Sequence, residues 1–481
     1  MTTWEQNSRS SDDSTNPASD ESTPSVQPVS DQEMSTPEVC IENPEPDAGP
    51  APARLLTSYE YRNSVRDLVG YDGNITEEFP AENKVQGFEN NVSAHSANML
   101  LVRKYMKAAE TIARDAVEEN LDGILPCNPM EEGEAACGEK FVEDFLERAF
   151  RRPPKQGEID DFVALFEKGR SADGFITGLE MVIEGALQSP QFLYRIQFLE
   201  GASDGETQRL DGYELASRLS YLLWASTPDE KLLTAAAEGR LRTRQQVADQ
   251  ARRMLEDPRA KNAVYQFHRQ WLKLTELGSM TKDSGQFPEF ESEMTDDWRR
   301  SMRKFVLDVY FSAGNGVKHL LRSPTIYLTD RLAKLYDRQD MKDESGVDAY
   351  QFDPERRSGL LTQPALMALL SNANQNSPIQ RGVWVREQLL CETIEPPPGN
   401  ANLEPPDPDP DATTRERFRQ HTEKAACRSC HKLIDPIGFG FENYDGIGRW
   451  RSRENGKPVD ATGKLANVED PSIAGEYDGA V

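Results

Sequence analysis

The stretch Phe141-Val142-Glu143-Asp144-Phe145-Leu146-Glu147-Arg148-Ala149-Phe150-Arg151-Arg152-Pro153-Pro154 decides the class of the fold. Phe141, Phe145, Ala149 and Phe150 fall on one side of a helix, with charged residues between them. The spacing predicts a helix to Arg152, stopped ahead of Pro153-Pro154 because a residue before proline is pushed out of the α region. The same period continues on both sides. Downstream, Glu158–Lys168 and Gly174–Ser189 read as helices, the second broken by Pro190. Upstream, Thr57-Ser58-Tyr59-Glu60 is a capping box that opens a helix through Tyr61, Val65, Leu68 and Val69, ending at Gly70. A loop from Phe79-Pro80 to Asn91 separates it from a helix over Leu100–Glu119.

Further along, Asp211–Trp224 places Leu215, Leu219, Leu222 and Leu223 on one side of a helix. Thr227-Pro228-Asp229-Glu230 starts the next, with proline in its first turn. Helices are expected at Gln245–Glu256, Pro258–Leu274, Glu291–Phe311 and Arg381–Leu390, and a last one over Thr413–Cys430. Asn372-Ala373-Asn374-Gln375-Asn376-Ser377-Pro378 is a polar loop, and Pro396–Asp411 an extended, exposed connector. Few stretches alternate as strands do, so the fold class is mainly α. Beyond Trp450 few cues remain.

Composition bounds the function. The 481 residues carry a formal net charge of −27. That argues against nucleic acid as a partner, since phosphate contacts need clustered Lys and Arg, and against an anionic membrane surface. The plainest reading of the charge is a solvated acidic surface. No run of eighteen apolar residues exists, so no transmembrane helix is expected. Met1–Asp20 lacks the apolar core of a signal peptide. The segment 1–53 is rich in Ser, Thr, Pro, Asp and Glu and reads as a disordered acidic tether, with Cys40 inside it.

The sharpest chemical signal is Cys427-Arg428-Ser429-Cys430-His431. Two cysteines three apart lie one helical turn from each other and suit thioether bonds to the two vinyl groups of one porphyrin. The next residue, His431, then faces the iron. This is the pattern of covalent c-type haem attachment. Leu433, Ile434, Ile437, Phe439 and Phe441 follow as an apolar run that would shield a porphyrin or, equally, pack a protein core. Trp450 is placed to stack or hydrogen-bond near a propionate. Arg381, after Ser377-Pro378, reads as a propionate clamp or as a capping or surface charge.

Rival readings of the pair are a disulfide, or zinc with Cys391 and His421 as the nearest further ligands in sequence. A thioredoxin-like pair would follow a strand, whereas a helix precedes this one. No methionine follows His431. Met367 is the candidate distal iron ligand, an open or water-bound position is the alternative, and His421 is expected on the wrong face of the same helix. Cys127 and Cys137 close a short loop and are expected to pair in an oxidising compartment. His95, His268 and His319 read as scattered surface or core histidines, and Asp67, Glu89 and Asp229 as caps and surface charges.

Several of these strings together resemble the secreted planctomycete cytochrome-like proteins and their myxobacterial relatives. The strings are RLLTSYEYRNSVRDLVG (Arg54–Gly70) with GFENN, FLERAFRRPP (Phe145–Pro154) through LQSPQFLYR (Leu187–Arg195), and LASRLSYLLWASTPDEKL (Leu215–Leu232) with FHRQWL (Phe267–Leu272). RSGLLTQPALMALLSNANQNSPIQRGVWVREQLL (Arg357–Leu390) and CRSCHKLIDPIGFGFENYDGIGRWR (Cys427–Arg451) complete the set. The resemblance implies helical modules at 54–125, 138–200 and 208–340, and a cytochrome c-like haem module at 354–470. It implies export to the periplasm, the cell surface or the medium. It also implies that the chain is part of a longer protein, with a further C-terminal module after VDATGKL. It supplies no substrate and no catalytic residue.

The function expected is therefore an exported c-type haem protein, transferring electrons to a partner protein or acting on a small oxidant. The alternatives are a non-catalytic scaffold or binding protein, and a carbohydrate-active enzyme with an incidental cysteine motif. No paired carboxylates and no Ser-His-Asp order stand out.

Overall fold

The computed structural model describes residues 52–481, apart from 95–96, 198–207, 313–315, 339–345, 396–403 and 423–424, and apart from the side chains of 420–422, 425–427 and 429. The expected tether and Cys40 lie outside the described residues but for Pro52 and Ala53, as does His95. The chain divides into Met1–Pro50 and Ala51–Val481. The second unit is mainly α, with short two-stranded pairings between its helices.

Its helices begin where their caps dictate. Thr57 accepts from the Glu60 amide while Glu60 reaches back to the Thr57 amide, and Gly70 closes that helix at a left-handed φ of 79°. Asp211 and Glu214 repeat the device at Gly212–Leu223. Asp229 caps Glu230–Ala237. The helix around Phe141 spans Glu134–Phe150 and buries Phe141, Phe145, Ala149 and Phe150 as expected. It stops two residues short of the expected Arg152 because Arg151 turns to a φ of 61°. That turn sends the Arg151 guanidinium inward, donating to the carbonyls of Gln191, Phe192 and Tyr194 and to the Tyr221 hydroxyl.

The cores do not follow the expected module boundaries. One apolar cluster runs from Leu55 to Leu193 and Tyr221, so the first two modules share it. Strand Arg54–Leu55 pairs antiparallel with Tyr194–Arg195 and ties their two ends together. Cys127 and Cys137 form a disulfide in the connector between them, with Cα atoms 5.6 Å apart. Cross-linking a loop of this length stabilises a fold by about 2–3 kcal/mol through the unfolded chain. The Cys127→Ser, Cys137→Ser double variant is therefore expected to lose that much in urea denaturation, and an unchanged midpoint would contradict the assignment.

A small cluster around Trp224, Leu232 and Met254 follows. It is joined to the first core by polar side chains of the Ser58–Val69 helix. Asn63 donates to the Ala225 carbonyl, and Asp67 accepts from Ser226 at 2.7 Å and from Arg259 at 3.2 Å. Asp67 is thus an inter-module tie rather than a cap or surface charge. Leu222, expected on the buried face, is 74% exposed. The helix presents Ala216, Leu219, Ser220 and Tyr221 inward instead. Its small residues face inward because the Glu230–Ala237 helix comes so near that a side chain on Gly212 would meet the Ala236 backbone.

The last core runs from Leu272 to Ile447 and joins Trp298, Met302 and Phe305 to Leu366, Trp384 and Phe441. Strand Thr325–Leu328 pairs with Asp348–Gln351 across the expected boundary at 340–354. The segment beyond Trp450 holds two hairpin pairings, Arg453–Glu454 with Lys457–Pro458 and Thr462–Leu465 with Gly475–Asp478.

Candidate haem-attachment site

The expected single helix over Thr413–Cys430 is two helices, Thr414–Thr422 and Ala425–Gly438. The cysteine motif lies in the first turns of the second, which continues past it and through Pro436. Proline inside a helix ordinarily breaks it, since it lacks an N–H and crowds the carbonyl four residues back. Side chains brace the backbone on either side of it. Arg386 Nε donates to the Leu433 carbonyl at 2.7 Å, and the Tyr477 hydroxyl donates to the Ile437 carbonyl at 2.9 Å. Arg386 sits in a π turn, Val385–Leu389, that extends the Pro378–Trp384 helix.

Helices Pro378–Trp384 and Ala425–Gly438 pack against each other with glycine at both contacts. A Cβ on Gly382 would collide with the Ile434 carbonyl, and one on Gly438 with the Pro378 carbonyl. Both obstacles are backbone, so neither can swing aside. Gly382→Ala is expected to cost about 1–3 kcal/mol of stability by overpacking, read from the urea midpoint, and a wild-type midpoint would disprove so close an approach.

His431 and Asp435 lie one turn apart on one face of this helix. His431 Nδ1 meets Asp435 Oδ1 at 2.9 Å, with the two side chains 16% and 5% exposed. Cys430 is half-buried beside them. The Cys427 side chain lies outside the described residues, as does that of His421, which sits on the preceding helix rather than on the same one. The residues suit a covalently held porphyrin. Two cysteine positions one turn apart precede an imidazole whose Nδ1 meets a carboxylate, so that Nε2 would be the atom to hold an iron. His431 and the backbone of Cys427 and Cys430 are thus brought together by one helix.

Other candidates are placed elsewhere. Met367, on helix Pro364–Leu369, is buried in the last core with Leu366, Trp384 and Ile437. Ile437 and Phe441 join that same core. Phe439 lies beneath the Arg415 guanidinium, 4.6 Å from its ring centroid, and lines a surface groove of about 730 Å³ with Pro436, Lys464 and Tyr477. Arg356 covers the ring of Trp450 at 4.2 Å.

Arg381 is neither a propionate clamp nor a surface charge. It is fully buried and donates to the carbonyls of Phe441, Tyr444, Asp445 and Met367 and to the Ser371 hydroxyl. Proximity to the cysteine motif suggested a ligand contact, whereas the fold spends this cation on its own backbone. The polar loop is similarly committed: Asn376 donates to Glu442 and accepts from Thr414, and Gln375 donates to the Pro406 carbonyl. Lys282 Nζ closes the loop from below on the carbonyls of Ala368, Ser371 and Asn372.

His268 is buried between the Val264 carbonyl and the Tyr310 hydroxyl, and burial holds it below the ordinary imidazole range. His319 lies 3.4 Å from Asp308. Cys391 is exposed. Among the described residues no three His, Cys, Asp or Glu gather as a metal site. No helix among them is long and apolar enough to cross a membrane.

Four stretches match family models. Residues 54–118 match PSD3, Protein of unknown function (DUF1587), and 137–197 match PSD5, Protein of unknown function (DUF1595). Residues 210–337 match PSD4, Protein of unknown function (DUF1592), and 357–454 match PSCyt3, Protein of unknown function (DUF1588). No curated protein and no solved structure matches the chain. The cysteine motif and its helix fall inside the last of these matches, and by the four together the chain carries the modules of the planctomycete cytochrome-like multi-domain family.

Proposed function

We propose that this chain is an extracytoplasmic c-type haem protein that transfers electrons from within a helical scaffold. The observation that carries the reading is the motif Cys427-Arg428-Ser429-Cys430-His431 on one helix, with the His431 ring oriented by a buried carboxylate. When bound, haem supplies a one-electron Fe(III)/Fe(II) couple. The residues of the chain do the rest. Cys427 and Cys430 would hold the macrocycle covalently, and His431 Nε2 would hold the iron. The paired glycines and Arg386 keep the helix that carries all three in place. The match to a module named PSCyt3 agrees with this assignment. The disulfide between Cys127 and Cys137 supports an oxidising compartment, where such cross-links form and persist. Met367, enclosed by the core, is less suited to the distal position than water or a small oxidant.

The test is expression of the full chain with export and c-type maturation machinery. A Soret band that responds to dithionite, and haem that stays with the polypeptide on a denaturing gel, are expected. Purified protein with no haem from a strain that matures a control cytochrome would overturn the reading in favour of a scaffold.

A further inference from the structure

We propose that Asp435 is a positioning residue that makes His431 a strong axial donor and thereby holds the reduction potential of the site low. The inference rests on the haem reading above and adds a specific residue to it. His431 and Asp435 are four apart on helix Ala425–Gly438, so their side chains share one face. The Nδ1–Oδ1 distance is 2.9 Å. An exposed pair at this spacing would be worth little. This one is shielded, with Asp435 only 5% exposed.

A carboxylate at Nδ1 does two things. It fixes the tautomer and the ring plane, so that Nε2 would be the ligating atom. It also increases the basicity of that atom, as carboxylate partners of metal-bound histidines do. A more electron-rich nitrogen favours ferric over ferrous iron, which lowers the potential.

The fold holds this acceptor unusually firmly. Pro436 follows Asp435 directly and fixes the backbone there. Arg386 grips the Leu433 carbonyl before it, and Tyr477 grips the Ile437 carbonyl after it. A helix continued through a proline is thus pinned on both sides of the carboxylate that faces the imidazole ring. A helix that merely delivered the cysteines could have ended at His431.

The experiment compares the holoprotein with Asp435→Asn and Asp435→Glu by spectroelectrochemistry. Asp435→Asn is expected to move the Fe(III)/Fe(II) equilibrium at least about tenfold toward ferrous iron, a positive shift of ~59 mV for one electron. Asp435→Glu, which keeps the charge, is expected to return most of that shift. A purely structural role for Asp435 would change stability and leave the potential alone. Should Asp435→Asn fail to fold, nitrogen-15 spectra of the histidines in the haem-free full chain at about pH 8, above the ordinary imidazole range, read the tautomer directly. The Nδ1–H form is expected for His431, and the Nε2–H form overturns the proposal. A haem-bearing Asp435→Asn variant with the wild-type potential overturns it alone. A wild-type chain that never acquires haem overturns the functional reading and this inference together.

Discussion

Replacing Cys427 and Cys430 together by alanine is expected to remove all haem that survives a denaturing gel, while the rest of the chain folds. Both residues lie in the first turns of helix Ala425–Gly438, on the end away from the glycine contacts. The helix is fastened through Gly382, Gly438, Arg386 and Tyr477, which meet it at Leu433, Ile434, Ile437 and Gly438. Attachment and stability are thus carried by different residues, and the double variant should unfold at the wild-type urea midpoint once the comparison is made on haem-free protein. Each single variant should keep one thioether and one unreacted vinyl group, which lengthens the conjugated system and moves the absorption bands to longer wavelength. His431→Ala should still carry attached haem but with an altered spectrum, because ligation and attachment are separate bonds. The contrast among the three variants is the test. If His431→Ala loses all covalent haem while the double cysteine variant retains it, the roles given to these residues are wrong. A stable disulfide between Cys427 and Cys430 in exported wild-type protein would equally refute them.

The parts of the fold that were legible in the sequence are those fixed by local chemistry. The capping box at Thr57–Glu60, the stop at Gly70 and the buried stripe through Phe141 and Phe145 each depend on residues within a turn or two. The short loop between Cys127 and Cys137 is local in the same sense. What escaped was set by distant partners. Helix Ala425–Gly438 passes through Pro436, where Arg386 and Tyr477, about fifty and forty residues away by their positions, brace the carbonyls on either side. Leu222 is exposed because the approach of another helix selected the face with Ala216 and Ser220. The small residues at 212, 216 and 220 were a usable signal, since spaced small residues mark close packing as surely as leucines mark a core. The hairpins after Trp450 are too short for an alternating pattern to register. At the candidate site the motif itself was plain in the sequence. Asp435 was hidden in an apolar run, four residues beyond His431, a spacing that gains meaning only once the helix is known to continue. Module boundaries drawn from sequence blocks marked where the blocks begin and end, while the cores formed wherever apolar faces met across them.

Arg381→Met is expected to destabilise the C-terminal module by about 3–5 kcal/mol, the range for removing one partner from a buried charged network. The side chain is fully buried, and its planar fork reaches five acceptors at once. Three of them, the carbonyls of Phe441, Tyr444 and Asp445, belong to the turn that follows the cysteine-motif helix. The other two, the Met367 carbonyl and the Ser371 hydroxyl, belong to the helix Pro364–Leu369 and the loop after it. Arginine therefore joins two parts of the module through one side chain, adding to the bonds that the Phe441, Asp445 and Met367 carbonyls accept from Tyr444, Gly448 and Ser371. Methionine fills the space but withdraws a charged donor from all of these acceptors, and any one left unmet costs about 1–3 kcal/mol before relaxation. Lysine keeps the charge but concentrates it at one point with three donors, so it cannot reproduce the fork. Arg381→Lys should thus recover only part of the loss. The effect should appear in urea denaturation followed through tryptophan fluorescence, since Trp298 and Trp384 both lie in the affected core. It should also appear as a lower haem yield on export, because the helix bearing Cys427, Cys430 and His431 is continuous with the turn that Arg381 holds. A methionine variant with the wild-type midpoint and full haem loading would show that the network is ornamental, and the module would then have to be held by its apolar contacts alone.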